Sequence, residues 1–337
     1  MYEGDFNDFM AIGDLHFKGG PDNVRRSNLL CEEIIKLVKT RRPDFIVLLG
    51  DTLHTFNKMY ATIHGRACSF INELSTYTDK IYLLIGNHDI PNNKCYPPKD
   101  HGFEAYKISD KVVVVDEPVE FSYKGQDYLA VPYFPTGRFN EILEEYELSK
   151  YQIVFAHQEF KGIRLSKNRV STTGDYIPES CNLVVTGHIH DYEFLKDKIL
   201  NVGTPMQVNA DETTDKAVVL FKAVSDDNPT LEWERVGLDI PVKHNIKIEY
   251  RKLSTIDPKL LTRDTKVVVI CKPHHIPRLK NNKYYLNIKE KVYSVSHKTV
   301  GKEKKIKTTE KIVRFGDYFK SNLPKDLEYL YGELFEG

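Results

Sequence analysis

Five short stretches of this sequence carry side chains able to bind a divalent cation or move a proton: Gly13-Asp14-Leu15-His16, Gly50-Asp51-Thr52-Leu53-His54, Gly86-Asn87-His88-Asp89, Ala156-His157 and Gly187-His188-Ile189-His190. Carboxylate, imidazole and amide oxygen donors without a thiolate suit Mn2+ best among the common divalent ions, with Mg2+, Fe or Zn also compatible. Residues two apart on an extended segment project to the same side, so Asp14 and His16 can grip one ion, and so can His188 and His190. A glycine precedes the ligands in four of the stretches, where a backbone turning sharply beside a cluster leaves little room for a side chain. Taken singly, each stretch has a bland explanation, since an Asp-x-His arises by chance and a histidine beside an apolar strand is commonly a core or surface residue. Together, each just beyond an apolar run, they point to a metal centre.

The runs that must position these residues read as buried parallel strands. They are Phe9 to Ile12, Phe45 to Leu49, Ile81 to Ile85, Gln152 to Ala156 and Asn182 to Thr186. Helical periodicity over Asn23 to Lys39 and from about Met59 to Tyr77 separates the first three, and this strand, helix, strand alternation predicts a parallel sheet. Further strands are expected at Lys111 to Val115, at Val119 to Tyr123 and Asp127 to Val131 as a hairpin through Lys124-Gly125-Gln126, and at Ile199 to Val202, Ala217 to Phe221 and Thr230 to Arg235. A polar helix is expected around Phe139 to Leu148, and Gln158 to Pro178 lacks periodicity. Pro241 marks a boundary. Beyond it, strands are expected at Ile246 to Tyr250, Val267 to Cys271 and Tyr284 to Ile288, then a charged linker, and two short helices over Ile312 to Phe335. The chain thus divides into residues 1–240, 241–300 and 301–337.

The 337 residues suffice for more than one domain, and 41% hydrophobic with 28% charged residues is ordinary globular composition. No apolar run is long enough to cross a bilayer, and the acidic start is unlike a signal peptide, so an intracellular, non-secreted protein is expected. The five cysteines are scattered without a Cys-x-x-Cys pair and read as reduced packing residues. Net charge is zero, yet Lys243 to Lys320 holds 21 Lys and Arg against 7 Asp and Glu. That imbalance suggests an anionic partner, with a solvated lysine-rich surface as the alternative.

In their order, the five blocks resemble the signature of the calcineurin-like metallophosphoesterases, over about Phe9 to Val236. Within that superfamily the chain looks most like the nuclease subunit of the SbcCD-type double-strand-break repair and recombination complex, in a short version similar to those of phages and large DNA viruses. The second block lacks the Gly-Asp-x-x-Asp-Arg-Gly of phosphoprotein phosphatases, and His54 falls where the nuclease branch has a second histidine contacting phosphate. Ala156 departs from the glycine of many members.

The resemblance implies a four-layer α/β/β/α sandwich with a small α+β capping domain and a C-terminal helical segment. It assigns Asp14, His16 and His190 to one ion, Asn87, His157 and His188 to the other, and Asp51 to both, with two Mn2+ as the expected pair. Two such ions clamp a phosphodiester and acidify a water, while His88, off the metals, stabilises the transition state or protonates the leaving oxygen. It also implies a DNA nuclease, a coiled-coil ATPase partner docking on the helical tail, and a homodimer of this chain within a heterotetramer. Lys161, Arg164, Lys167 and Arg169 in the fourth-block loop are the expected DNA contacts. A small-molecule phosphodiesterase or a non-catalytic scaffold remains the rival expectation.

Overall fold

Successive residues of a strand point to opposite faces, so a strand apolar at every position must be covered on both. In Phe9–Ile12 the side chains of Phe9 and Ala11 enter one core, and those of Met10 and Ile12 another. The same alternation recurs in Phe45–Leu48 and Lys80–Leu84. The computed structural model describes residues 7–56, 60–92, 94, 98–166, 169–225 and 228–300.

Two six-stranded sheets lie face to face. The first runs Glu232–Gly237, Ala217–Lys222, Phe9–Ile12, Phe45–Leu48, Lys80–Leu84, Val112–Val115, parallel from Phe9–Ile12 onward and antiparallel at the other edge. The second runs Glu193–Leu195, Ile199–Asn201, Val184–Gly187, Tyr151–His157, Gln126–Ala130, Val119–Tyr123, parallel in its four central strands. Between them Phe9 stacks on Phe45 and on Phe221, each at 4.6 Å, with Tyr128 and Phe155 edge-on from the opposite sheet. Helices Pro21–Arg41 and Ala61–Leu74 bury Leu30, Ile34, Val38, Phe70 and Ile71 against the outer face of the first sheet. Phe139, Ile142 and Leu143 of helix Phe139–Leu143 cover the outer face of the second. The result is the four-layer α/β/β/α sandwich. The helix expected over residues 139–148 is shorter, ending at Leu143 and followed by turns.

After Pro241 comes a three-stranded parallel sheet, His244–Glu249, Thr265–Cys271, Ser294–Thr299, with its own small core around Val267, Val269, Leu279 and Ile288. Here one expectation is corrected. Tyr284 to Ile288 is not a strand but lies in helix Lys283–Lys291, because the Asn282 side chain accepts from the Tyr284 and Tyr285 N–H groups and so caps a helix. Tyr285, Ile288 and Val292 then fall on its buried side. The third strand is Ser294–Thr299, whose polar sequence carries no strand signal. Asp264 ties this unit to the long first helix, accepting from Arg25 Nη2 at 2.6 Å and Arg26 Nη1 at 2.8 Å. The tail expected to form helices over Ile312 to Phe335 lies outside the described residues. No helix among the described residues is long and apolar enough to cross a membrane.

Candidate metal centre

All five stretches of candidate ligands sit at the C-terminal ends of parallel strands, three from the first sheet and two from the second, so the two sheet edges bring them together. Asn87 Oδ1 lies 2.9 Å from His188 Nδ1 and 3.1 Å from His157 Nε2, and Asp51 Oδ1 is 3.3 Å from that same nitrogen. His16 Nε2 and His190 Nε2 face each other at 3.0 Å, with Asp51 Oδ2 3.8 Å from His16. Ligand atoms of Asp51, His157 and His188 lie within 4.8 Å of one another, as do those of Asp14, His16 and Asp51. Asp51 is common to both groups.

The local backbone is not the extended segment that residue spacing suggests. His16, Asp51 and His188 all have positive φ, at 47°, 48° and 81°. Left-handed backbone costs a β-carbon residue roughly 1 kcal/mol or more and is retained where surrounding structure enforces it. The enforcing contacts are visible: the His16 N–H donates to the Asp51 carbonyl at 2.9 Å, and the His188 N–H donates to the Asp14 carboxylate at 3.0 Å. Gly50 and Gly86 permit this closeness. A β-carbon on Gly86 would stand 2.2 Å from the Asp51 nitrogen, and one on Gly50 2.5 Å from His157 Nδ1.

Residues 8–192 match the calcineurin-like phosphoesterase family, more than half of the chain. The chain belongs to that family. Two viral proteins named as phosphoesterases are similar to it. The protein 078R of Invertebrate iridescent virus 3 is 33% identical over 240 residues, 69% of this chain and 66% of that protein. The protein 244L of Invertebrate iridescent virus 6 is 31% identical over 273 residues, 78% of this chain and 93% of that protein. The match therefore spans just under two thirds of the first relative and nearly all of the second.

A calcineurin-like phosphoesterase uses a dinuclear metal site, and the donor set here fits one. Asp14 and Asp51 are 1% and 2% exposed, and among the described residues their ion-pair partners are all histidines. Burying two carboxylates together without a Lys or Arg in contact is costly unless a cation joins them. His157 Nδ1 donates to the Leu49 carbonyl at 2.6 Å, which leaves Nε2 as the inward donor atom. Burial pushes the His157 pKa down, but Asp51 and Asp14 overcome it and raise it to about 9. A divalent ion would replace the proton that His157 otherwise holds. Burial and neighbouring His157 hold His188 down at about 3, so its imidazole is a free base ready to bind metal.

His88 and His54 stand beside the candidate ligands. The His88 N–H donates to Asp51 Oδ1 at 2.8 Å, and its Nε2 lies 3.9 Å from Asp51 Oδ2. His54 Nδ1 is 3.3 Å from His16 Nδ1, and burial with nearby Lys18 lowers its pKa to about 4. Phe56 stacks on His88 at 4.1 Å between centroids. The Asp89 carboxylate takes the N–H groups of Leu53, Gly86 and Thr52 at 2.8, 3.0 and 3.2 Å, stitching the second-block loop to the third.

Glu212 escapes notice in the sequence, where it sits in a charged stretch that looks like a solvated loop. Its Oε1 lies 2.9 Å from His190 Nδ1, and its other contacts include the Val208 and Asn209 N–H groups and Lys216 Nζ at 3.3 Å. Burial would raise its pKa, but His190 and Lys216 bring it down to about 2. Glu212 thus holds His190 with Nε2 facing the cluster. Of the expected DNA contacts, Arg164 and Arg169 lie on a short hairpin, Arg164–Ser166 with Arg169–Val170. Lys161 precedes it, bonded to the Tyr176 hydroxyl and lying over that ring at 4.7 Å. Lys167 lies outside the described residues.

Proposed function

We propose that this phosphoesterase is a Mn2+-dependent DNA nuclease, an exonuclease on duplex ends and an endonuclease on single strands. It acts in recombination, repair or replication with a coiled-coil ATPase. The observation that carries this reading is the placement of His54. It is not needed to complete the ligand set, yet it touches His16 and carries on its backbone carbonyl the bond that holds His88, 2.7 Å from Nδ1. Two imidazoles outside the ligand set and beside it suit a phosphodiester, whose departing sugar oxygen needs a proton.

Asp14, His16 and His190 would hold one cation, Asn87, His157 and His188 the other, with Asp51 between them. Bound there, divalent cations polarise the phosphoryl group and make the attacking water acidic. His88, acting in its doubly protonated form, gives its Nε2 proton to the sugar oxygen as the bond from phosphorus to that oxygen breaks and the bond to water oxygen forms, and is left neutral with its Nδ1–H still on the His54 carbonyl. With Nδ1 tied to the His54 carbonyl, the ring keeps Nε2 on the cluster side. Lys161, Arg164, Lys167 and Arg169 hold backbone phosphates, and the exposed Tyr176 ring offers a base a stacking surface. Residues 241–300 act as a capping unit and 301–337 as the ATPase docking tail, each chain forming half of a homodimer.

The test is an assay of the purified chain with Mn2+ or Mg2+ on labelled single- and double-stranded DNA, with and without a free end, beside small diesters. Cleavage of DNA is expected. Turnover of small diesters with none of DNA replaces the nuclease with a small-molecule phosphodiesterase. Removing residues 312–337 is expected to abolish co-purification with the ATPase, and a stable complex after truncation rules the tail out.

A further inference from the structure

A narrow cleft of about 10 Å3, room for a single oxygen, opens beside His16 and is lined by Lys18, Asn23, Arg26, Gln207 and Lys243. Three of these are cations, and little negative charge answers them. Asp264 is shared between Arg25 and Arg26. Glu212 is taken by His190 and Lys216. Lys243 Nζ donates to the Val208 carbonyl at 2.6 Å, and Lys18 has no carboxylate partner among the described residues. Arg26 is 2% exposed, and its buried Nε has no hydrogen-bond partner. An orphaned buried donor costs about 1–3 kcal/mol, and like charges crowded together add to that cost. The crowding shows at Lys243, where burial and Arg26 lower the ammonium pKa to about 8.

An anion at the cleft answers the positive charge of Lys18, Arg26 and Lys243 together. The cleft meets the proposed metal ligands only at His16, and none of its other lining residues belongs to that set, so an anion held by Lys18, Arg26 and Lys243 is a neighbour of the phosphoryl group under attack rather than that group itself. We propose that Lys18, Arg26 and Lys243 form a subsite for a second phosphate of the substrate, adjacent to the one being hydrolysed, an inference that rests on the phosphodiesterase reading above. The cleft takes one phosphate oxygen and leaves the rest of the group outside. The enzyme therefore distinguishes a chain of phosphodiesters from an isolated one, by charge rather than by base.

Arg26 also anchors the 244–299 unit through Asp264, so Lys18 is the residue to vary. The full-length chain with Mn2+ is assayed on the p-nitrophenyl ester of thymidine 5′-phosphate and on the same ester bearing a 3′-phosphate. The second phosphate is expected to raise kcat/KM about tenfold, the effect of one charged hydrogen bond. Lys18→Glu and Lys18→Ala bring the ratio of the two substrates towards one, and Lys18→Arg keeps it. A ratio unmoved by Lys18→Glu overturns the subsite. A binding measurement stands apart from turnover: calorimetry of thymidine 3′,5′-bisphosphate against thymidine 5′-monophosphate on the Mn2+-loaded chain. Tighter binding of the bisphosphate, abolished in Lys18→Glu, supports the subsite even if neither ester is hydrolysed, a result that would fail the phosphodiesterase reading alone. Equal affinities overturn the subsite whatever the turnover.

Discussion

His88 Nδ1 donates to the backbone carbonyl of His54 across 2.7 Å, although the two residues are 34 apart in sequence. The loop that carries one candidate catalytic histidine therefore aims the other. Because this bond uses the Nδ1 proton, Nε2 is the atom left to exchange protons on the cluster side.

His88 lies outside the proposed ligand set, so His88→Ala is expected to keep bound metal and lose about 10²- to 10⁴-fold in turnover, the usual contribution of a general acid. Asp51→Ala is expected to lose metal as well. Elemental analysis beside a phosphodiesterase assay separates them, and a fully active His88→Ala protein removes that residue from the mechanism.

Glu212 bonds His190 at Nδ1. Glu212→Ala is expected to weaken divalent-ion binding by about 10- to 100-fold, and Glu212→Gln, which keeps an acceptor, by less. Competition with a chelating dye reads this without turnover. Wild-type affinity in Glu212→Ala would leave Glu212 as no more than a loop anchor.

If His157 is a ligand as proposed, metal and proton compete for it. Despite burial, Asp51 raises its pKa from 6.5 to about 9, so at neutral pH the metal-free protein holds a proton that binding must expel. Metal affinity should rise by about tenfold per pH unit and level off above about pH 9. The linked stability has the opposite slope: a raised folded-state pKa stabilises the metal-free protein below pH 6.5, and the gain is lost as pH rises through about 9. Chelator titrations and thermal melts of metal-free protein across this window check both signs. An affinity flat from pH 7 to 9 argues against proton release.

Gly86 and Gly65 make a stability contrast. A β-carbon on Gly86 would stand 2.2 Å from the Asp51 nitrogen, a backbone atom that cannot swing aside, whereas one on Gly65 in helix Ala61–Leu74 meets nothing within 4 Å. Gly86→Ala should cost about 2–3 kcal/mol, and Gly65→Ala should gain roughly 0.5–1 kcal/mol. Urea denaturation measures both, and equal effects would contradict the close approach at Gly86.

Charge reversal at Lys161, Arg164 and Arg169 should weaken DNA binding and lower the slope of log affinity against log salt by about one for each phosphate that is no longer neutralised. Binding isotherms at several salt concentrations supply the slope. An unchanged slope discards these residues as phosphate ligands.

The ligand-bearing stretches and the strands before them are legible in the sequence because burial on two faces demands unbroken apolar runs, and metal chemistry demands donor residues where those runs end. Phe9–Ile12, Phe45–Leu48 and Lys80–Leu84 need no tertiary information to be read as strands. The helix Lys283–Lys291 is mistaken for a strand in sequence because its Tyr-Tyr-Leu-Asn-Ile segment suits either state, and only packing of Ile288 and Val292 in a small core, with Asn282 as cap, decides between them. The left-handed backbone at His16, Asp51 and His188 is hidden because these residue types do not announce positive φ; bonds to distant chain segments impose it. Glu212 and the cationic cleft beside His16 are hidden for a related reason. Their partners are hydrogen bonds and charges from segments remote in sequence, and such pairings exist only once the chain has folded.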